Sequence, residues 1–104
     1  MDRKIYSVKI LSNALDDIDK IYCYIKTELK SSQAAVNLVD KFEKAIFSLE
    51  SFPYRGAKRK VRISYNWEYR QIFVKNFTII YRVDETNQSV IIVSVKFTPK
   101  QNNL

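Results

Sequence analysis

Arginine and lysine are the side chains through which this chain could hold an anion, and two of them stand where a sheet would display them. Arg70 and Arg82 occupy successive apolar runs of YRQIFVKNFTIIYRV (residues 69–83), joined by the break KN. A guanidinium presents five N–H donors in a rigid fork that matches a phosphate or a carboxylate. Two of them on one face would form a cationic spot for a nucleic acid or an acidic protein segment. As isolated residues they would be solvated side chains of a plain hairpin. Alternation puts Arg82 on the face of Thr78 and Ile80, whereas the face of Arg70 depends on strand register. Upstream, KRKVR gathers Lys58, Arg59, Lys60 and Arg62. It reads either as a solvated loop or as an element attracting any polyanion. Tyr65, Trp67 and Tyr69 follow it, as sheet packing or as a platform on which bases stack.

Other chemistries lack their residues. The chain has no histidine and one cysteine, which removes the usual general base and the commonest metal ligand. No zinc site, other metal or cofactor is expected. Cys23 cannot form an internal disulfide, and its apolar helical surroundings predict a small buried residue. The formal charge is +7. Residues 1–53 carry eight Lys/Arg and eight Asp/Glu, whereas residues 54–104 carry ten and three, so the whole excess of seven lies in the second half. That half should present a positive field to anionic partners.

The 104 residues, 46% hydrophobic and 28% charged, suit one globular domain over residues 1–104. No run approaches the roughly 18 apolar residues of a membrane span, and the N-terminus lacks a signal-peptide apolar segment. A cytoplasmic protein without membrane partners is expected.

The elements that must position the basic residues follow from hydrophobic period. KIYSVKIL (4–11) alternates and predicts a strand with Tyr6, Val8 and Ile10 on one face. Ser12 then offers an N-cap to a helix over 13–29, whose apolar positions include Ala14, Ile18, Ile21, Tyr22, Ile25 and Leu29. Asp16, Asp17 and Asp19 suit the positive end of its dipole. Ser31 or Ser32 caps a second helix striped by Ala35, Leu38, Val39, Phe42, Ala45, Ile46 and Leu49 and ended by Pro53 and Gly56. After residue 58 the period becomes two. VRISY, WEYRQIFV and FTIIYRV alternate, while SVIIVSVKF is apolar on both faces and reads as a central strand. The order β-α-α-β-β-β, with room for one extra short strand, indicates α+β architecture: an antiparallel sheet with a helical hairpin packed on one face.

Read together, the opening strand with LSNALDDIDKIYCYI, the helix end IFSLESFPYRGA and the closing YRQIFVKNFTIIYRVDETNQSVIIVSV resemble the RelE/ParE superfamily of bacterial type II toxins. The likeness runs from about residue 5 to about residue 97. Leu49, Phe52, Pro53 and Gly56, with the YR pair followed by IIYRV, look most like the ParE branch. The resemblance implies the toxin of a plasmid-stabilisation-type toxin–antitoxin system. An acidic, amphipathic antitoxin would neutralise it by wrapping it with a helix and an extended segment, and the stripe Ile18, Ile21, Ile25, Val39, Phe42 and Ile46 is the candidate surface. It also implies one of two targets. ParE-type members act on DNA gyrase, and RelE-type members cut mRNA on the ribosome.

RelE-like cleavage drives the ribose 2′-hydroxyl onto the adjacent phosphate, which requires proton acceptors, proton donors and cations around the phosphorus. Against that pattern Ile72 and Thr78 stand where basic residues are usual, and the tail PKQNNL has no tyrosine. The remaining candidates for catalysis are Glu68, Arg70, Arg82 and Lys96. The resemblance therefore favours a toxin that inhibits gyrase by binding. The alternatives are a diverged mRNA endoribonuclease and a decayed toxin that only binds its antitoxin. As target or nucleic-acid contacts the candidates are Lys58, Arg59, Lys60, Arg62, Arg70 and Arg82.

Overall fold

In the computed structural model, residues 5–59 and 68–99 are described. Strand β1 (Ser7–Ile10) leads into helices α1 (Ser12–Thr27) and α2 (Ser32–Ser48). A two-residue strand β2 (Ala57–Lys58) follows, then β3 (Tyr69–Val74), β4 (Phe77–Asp84) and β5 (Ser89–Phe97). The five strands form one sheet in the order β1-β5-β4-β3-β2. The α+β class and the helical hairpin on one face stand. The fully antiparallel sheet does not, because β1 runs parallel to β5, with Val8 beside Val90 and Ile10 beside Ile92. The sheet is mixed. Strand β5 lies inside the sheet, and β1 pairs the backbone groups of the edge that β4 leaves open.

Both helices pack on the face that carries Ile72, Ile79, Tyr81, Val90, Ile92 and Val95. Phe42 of α2 sits fully buried at the centre, with its ring edge-on to Phe77 at 5.5 Å and 88°. Leu49, just past α2, is equally buried.

The helix ends differ in how they are held. Ser31 caps α2 as its sequence suggests, accepting the Ala34 N–H at 3.1 Å. At α1 the N-cap position falls on Leu11, which makes no side-chain cap, and no acidic residue lies in the first turn. The start of α1 is instead fastened to the sheet. The β4–β5 ladder slips by one residue, from Ile80 opposite Ser94 to Tyr81 opposite Ile92. The resulting bulge frees the backbone around Val93. Asp17 Oδ2 accepts the Val95 N–H at 3.0 Å, and the Asn13 amide donates to the Val93 carbonyl at 3.3 Å. Asp17 thus serves a buried backbone donor rather than the helix dipole. Cys23, expected inside, is exposed on α1. No helix among the described residues is long and apolar enough to cross a membrane.

Candidate functional site

The turn Lys75–Asn76 is two residues long, so Val74 faces Phe77 and the pairing runs from there. Arg70 falls opposite Tyr81, and Arg82 falls opposite Tyr69. Directly paired residues share a face, so Arg70 lies on the helix side with Tyr81 and Arg82 lies on the other. The two arginines do not form one cationic spot.

Arg70 is occupied in holding a loop. Its Nη1 donates to the Gly56 carbonyl at 2.7 Å and to the Tyr54 carbonyl at 3.3 Å. Its Nη2 pairs with Glu68 at 3.0 Å, and Glu68 also pairs with Lys58 at 3.3 Å. The guanidinium lies 4.8 Å from the centre of the Tyr54 ring, and the arginine side chain is only 13% exposed. Beside it, the Tyr81 hydroxyl donates to the Pro53 carbonyl at 2.8 Å and accepts the Gly56 N–H at 3.0 Å. Burial pushes the Tyr81 phenol up from its usual range. Gly56 is required here by space. A Cβ on it would stand 2.6 Å from both the Gln71 carbonyl oxygen and the Tyr81 hydroxyl.

A carboxylate closes the other side of the same loop. Tyr6 donates to both oxygens of Glu85, at 2.9 and 3.0 Å, and Tyr54 donates to Glu85 Oε2. Donation to Glu85 raises the pKa of Tyr6; burial, reinforced by Glu85, raises that of Tyr54. Both phenols therefore serve as donors, not bases, at neutral pH. Residues 53–56 are gripped from β3, β4 and the β4–β5 turn at once.

The opposite face of the sheet carries Arg59, Arg82 and Lys96. Arg59 donates to the Gln71 side chain at 2.6 Å, and Lys96 stands opposite Thr78. Thr78 is buried and shares a hydrogen bond of 2.5 Å with the Thr98 hydroxyl, and Ile72 is in the core on the helix side. Arg82 lies four residues along β4 from Thr78, about 13 Å at the rise of a strand. Glu68 and Arg70 are thus on one face and Arg82 and Lys96 on the other, and no proton-transfer constellation is assembled from the four. Lys58 and Arg59 also point to opposite faces, since Lys58 pairs with Arg70 and Arg59 bonds Gln71. Lys60, Arg62, Tyr65 and Trp67 lie outside the described residues.

Comparison with known proteins agrees with this frame. A family model described as the ParE toxin of type II toxin–antitoxin systems, parDE, matches residues 8–97. The chain belongs to the ParE toxin family. Among solved structures it is similar to a chain of a chromosomal ParDE system from P. aeruginosa, with TM-score 0.71 and 19% identity over 91% of this chain and 98% of that one. It is also similar to a chain of the RelBE2 toxin–antitoxin complex from Mycobacterium tuberculosis, with TM-score 0.60 and 18% identity over 95% and 98%. A third likeness is to the isolated E. coli RelE toxin, with TM-score 0.58 and 15% identity over 93% and 88%. At these identities the structures establish the shared fold. No curated protein matches the sequence.

In this ParE-family chain the amphipathic stripe of the helices is mostly core. Ile25, Phe42 and Ile46 are buried, Ile18 and Ile21 are partly buried against them, and Val39 is half-buried. What remains open is an apolar groove of about 580 Å³ one step round α1, lined by Ile21, Tyr24, Leu29, Phe77 and Phe97 with Lys20 at its rim. Tyr24, Leu29 and Phe97 are each more than half exposed. The amphipathic pattern marks which face of α1 meets the sheet. It does not show where that packing stops, so Tyr24 and Phe97 were not legible as surface.

Proposed function

We propose that this ParE-family toxin arrests cells from the cytoplasm by binding DNA gyrase, without covalent chemistry, and that an acidic, amphipathic antitoxin neutralises it through the groove beside α1. The observation that carries the reading is the β3–β4 register. It separates Arg70 from Arg82 and leaves Arg70 holding the 53–56 loop rather than facing a substrate. Removing a general acid or base typically costs about 10² to 10⁴ in rate. Here the positions that such groups would fill hold Ile72 in the core and Thr78 bonded to Thr98. A binding toxin tolerates both. The antitoxin assignment is supported by the family membership and by neighbours whose structures are toxin–antitoxin complexes. The groove's apolar lining suits a helix laid in it, and Lys20 at the rim suits an acidic flank.

One observation favours a second reading. Arg59, Arg82 and Lys96 share the open sheet face with Tyr69 and the exposed Phe73, a combination that could track a single strand of RNA. A supercoiling assay separates the two. The purified chain is expected to inhibit gyrase supercoiling of relaxed plasmid and to build up cleavage complexes. Full supercoiling with the toxin in excess over gyrase would remove the gyrase reading.

A further inference from the structure

We propose that the loop Phe52–Arg55, together with Phe47 at the end of α2, is the surface that grips the target protein, and that it engages an apolar pocket with a carboxylate at its rim. The inference rests on the reading of this chain as a gyrase-binding toxin and names the part of it that makes the contact.

Phe52 and Tyr54 of this loop are 59% and 45% exposed, and Phe47, at the end of the helix that leads into it, is 50% exposed. A concavity of about 500 Å³ lies among Ser48, Phe52, Pro53, Tyr54 and Arg55. Aromatic residues and arginine are the types that dominate interface hot spots, whereas lysine and glutamate are depleted there. An isolated exposed phenylalanine needs no explanation, but a cluster around one arginine does.

The loop is also held in place before any partner arrives. Arg70 fixes the carbonyls of Tyr54 and Gly56, Tyr81 fixes Pro53 and Gly56, and Glu85 fixes the Tyr54 hydroxyl. A surface ordered in advance loses little conformational entropy on binding. This accounts for a half-buried arginine and a buried tyrosine serving three residues of the loop region, Pro53, Tyr54 and Gly56.

Charge selects the occupant. Arg55 donates to the Ser48 hydroxyl, and among the described residues no carboxylate pairs with it, in contrast to Arg70 and Lys58. A guanidinium with donors to spare inside an aromatic frame calls for a carboxylate from outside. Nucleic acid is disfavoured here. Tracking phosphates takes a row of cations, whereas this loop is flanked by Glu68 and Glu85 and offers a single outward arginine. The loop also sits at the Tyr81–Glu85 end of β4, while the apolar groove sits at the Phe77 end. The two surfaces are therefore separate, and a helix in the groove does not by itself cover the loop.

The test is binding of the full chain to immobilised gyrase holoenzyme, with Phe47→Ser and Arg55→Glu as separate variants and Leu15→Ser, exposed on α1, as the control. Thermal midpoints first establish that each variant is folded. The expected result is a loss of about ten-fold or more in gyrase affinity for each loop variant and no change for Leu15→Ser. Wild-type affinity in both loop variants would overturn the assignment while leaving the gyrase reading intact. A wild-type chain that does not bind gyrase would overturn both. Loop variants that keep gyrase affinity but lose binding to a single-stranded oligonucleotide would make the loop a base-stacking surface and also overturn the assignment.

Discussion

Phe42→Ala is expected to destabilise the fold by about 3–5 kcal/mol, the range for removing a buried aromatic ring from a core. The ring is fully buried between the helices and the sheet and meets Phe77 edge-on. Its loss removes the transfer free energy of the ring and leaves a cavity that α2, capped at Ser31 and continuous with the clasped loop at its other end, cannot readily close. Domains of this size have about 5–15 kcal/mol in total, so the variant should show a much lower urea midpoint. A partner would then fail to bind because little folded chain is present. Tyr24→Ala, in the groove, should by contrast leave the midpoint nearly unchanged and weaken the antitoxin alone. A cost below about 1 kcal/mol for Phe42→Ala would contradict its place in the core.

Gly56→Ala is the second large effect, at about 3 kcal/mol, the upper part of the range for overpacking. The added Cβ meets the Gln71 carbonyl oxygen and the Tyr81 hydroxyl at 2.6 Å each. The first is sheet backbone at the β2–β3 pairing and cannot swing aside. The second is held by the Pro53 carbonyl and the Gly56 N–H. Relief therefore requires the loop to lift, which breaks the Tyr81 bonds and the Arg70 bond to Gly56 together. Since the methyl adds no charge and Gly56 sits at no left-handed φ, the cost is one of space. Denaturant titration of Gly56→Ala beside Tyr81→Phe checks this. Tyr81→Phe leaves the Gly56 N–H and Pro53 carbonyl without their partner, and should cost less than the glycine change. Near-wild-type stability for Gly56→Ala would mean that the clasp does not determine the loop.

Much of this was legible in the sequence, and the misses have physical causes. The change of period after residue 58 is local and marks α1, α2, β3, β4 and β5 correctly. The parallel seat of β1 is a pairing across some eighty residues, from Ser7 to Ser89, and no local pattern encodes it. The face of Arg70 had a usable signal. Taken as a two-residue hairpin turn, KN fixes Val74 opposite Phe77 and hence Arg70 opposite Tyr81. The role of Gly56 was hinted at only by its being the single glycine of the chain. Its partners Tyr81 and Arg70 come from strands that look alike in composition. The helical stripe reports burial, but amphipathicity does not say where that burial stops and a surface for a partner begins. The sheet buries Phe42 and Ile46, and the surface left for a partner is Tyr24, Leu29 and Phe97.

The central claim, a toxin that binds without cutting, is tested most directly by incubating the purified chain with ribosomes programmed with a defined mRNA and mapping the 5′ ends. The account predicts intact mRNA at toxin concentrations that stop gyrase supercoiling. Codon-positioned cuts that disappear with Arg82→Ala and Lys96→Ala, while gyrase goes on supercoiling, would contradict it and make the open sheet face a nuclease site.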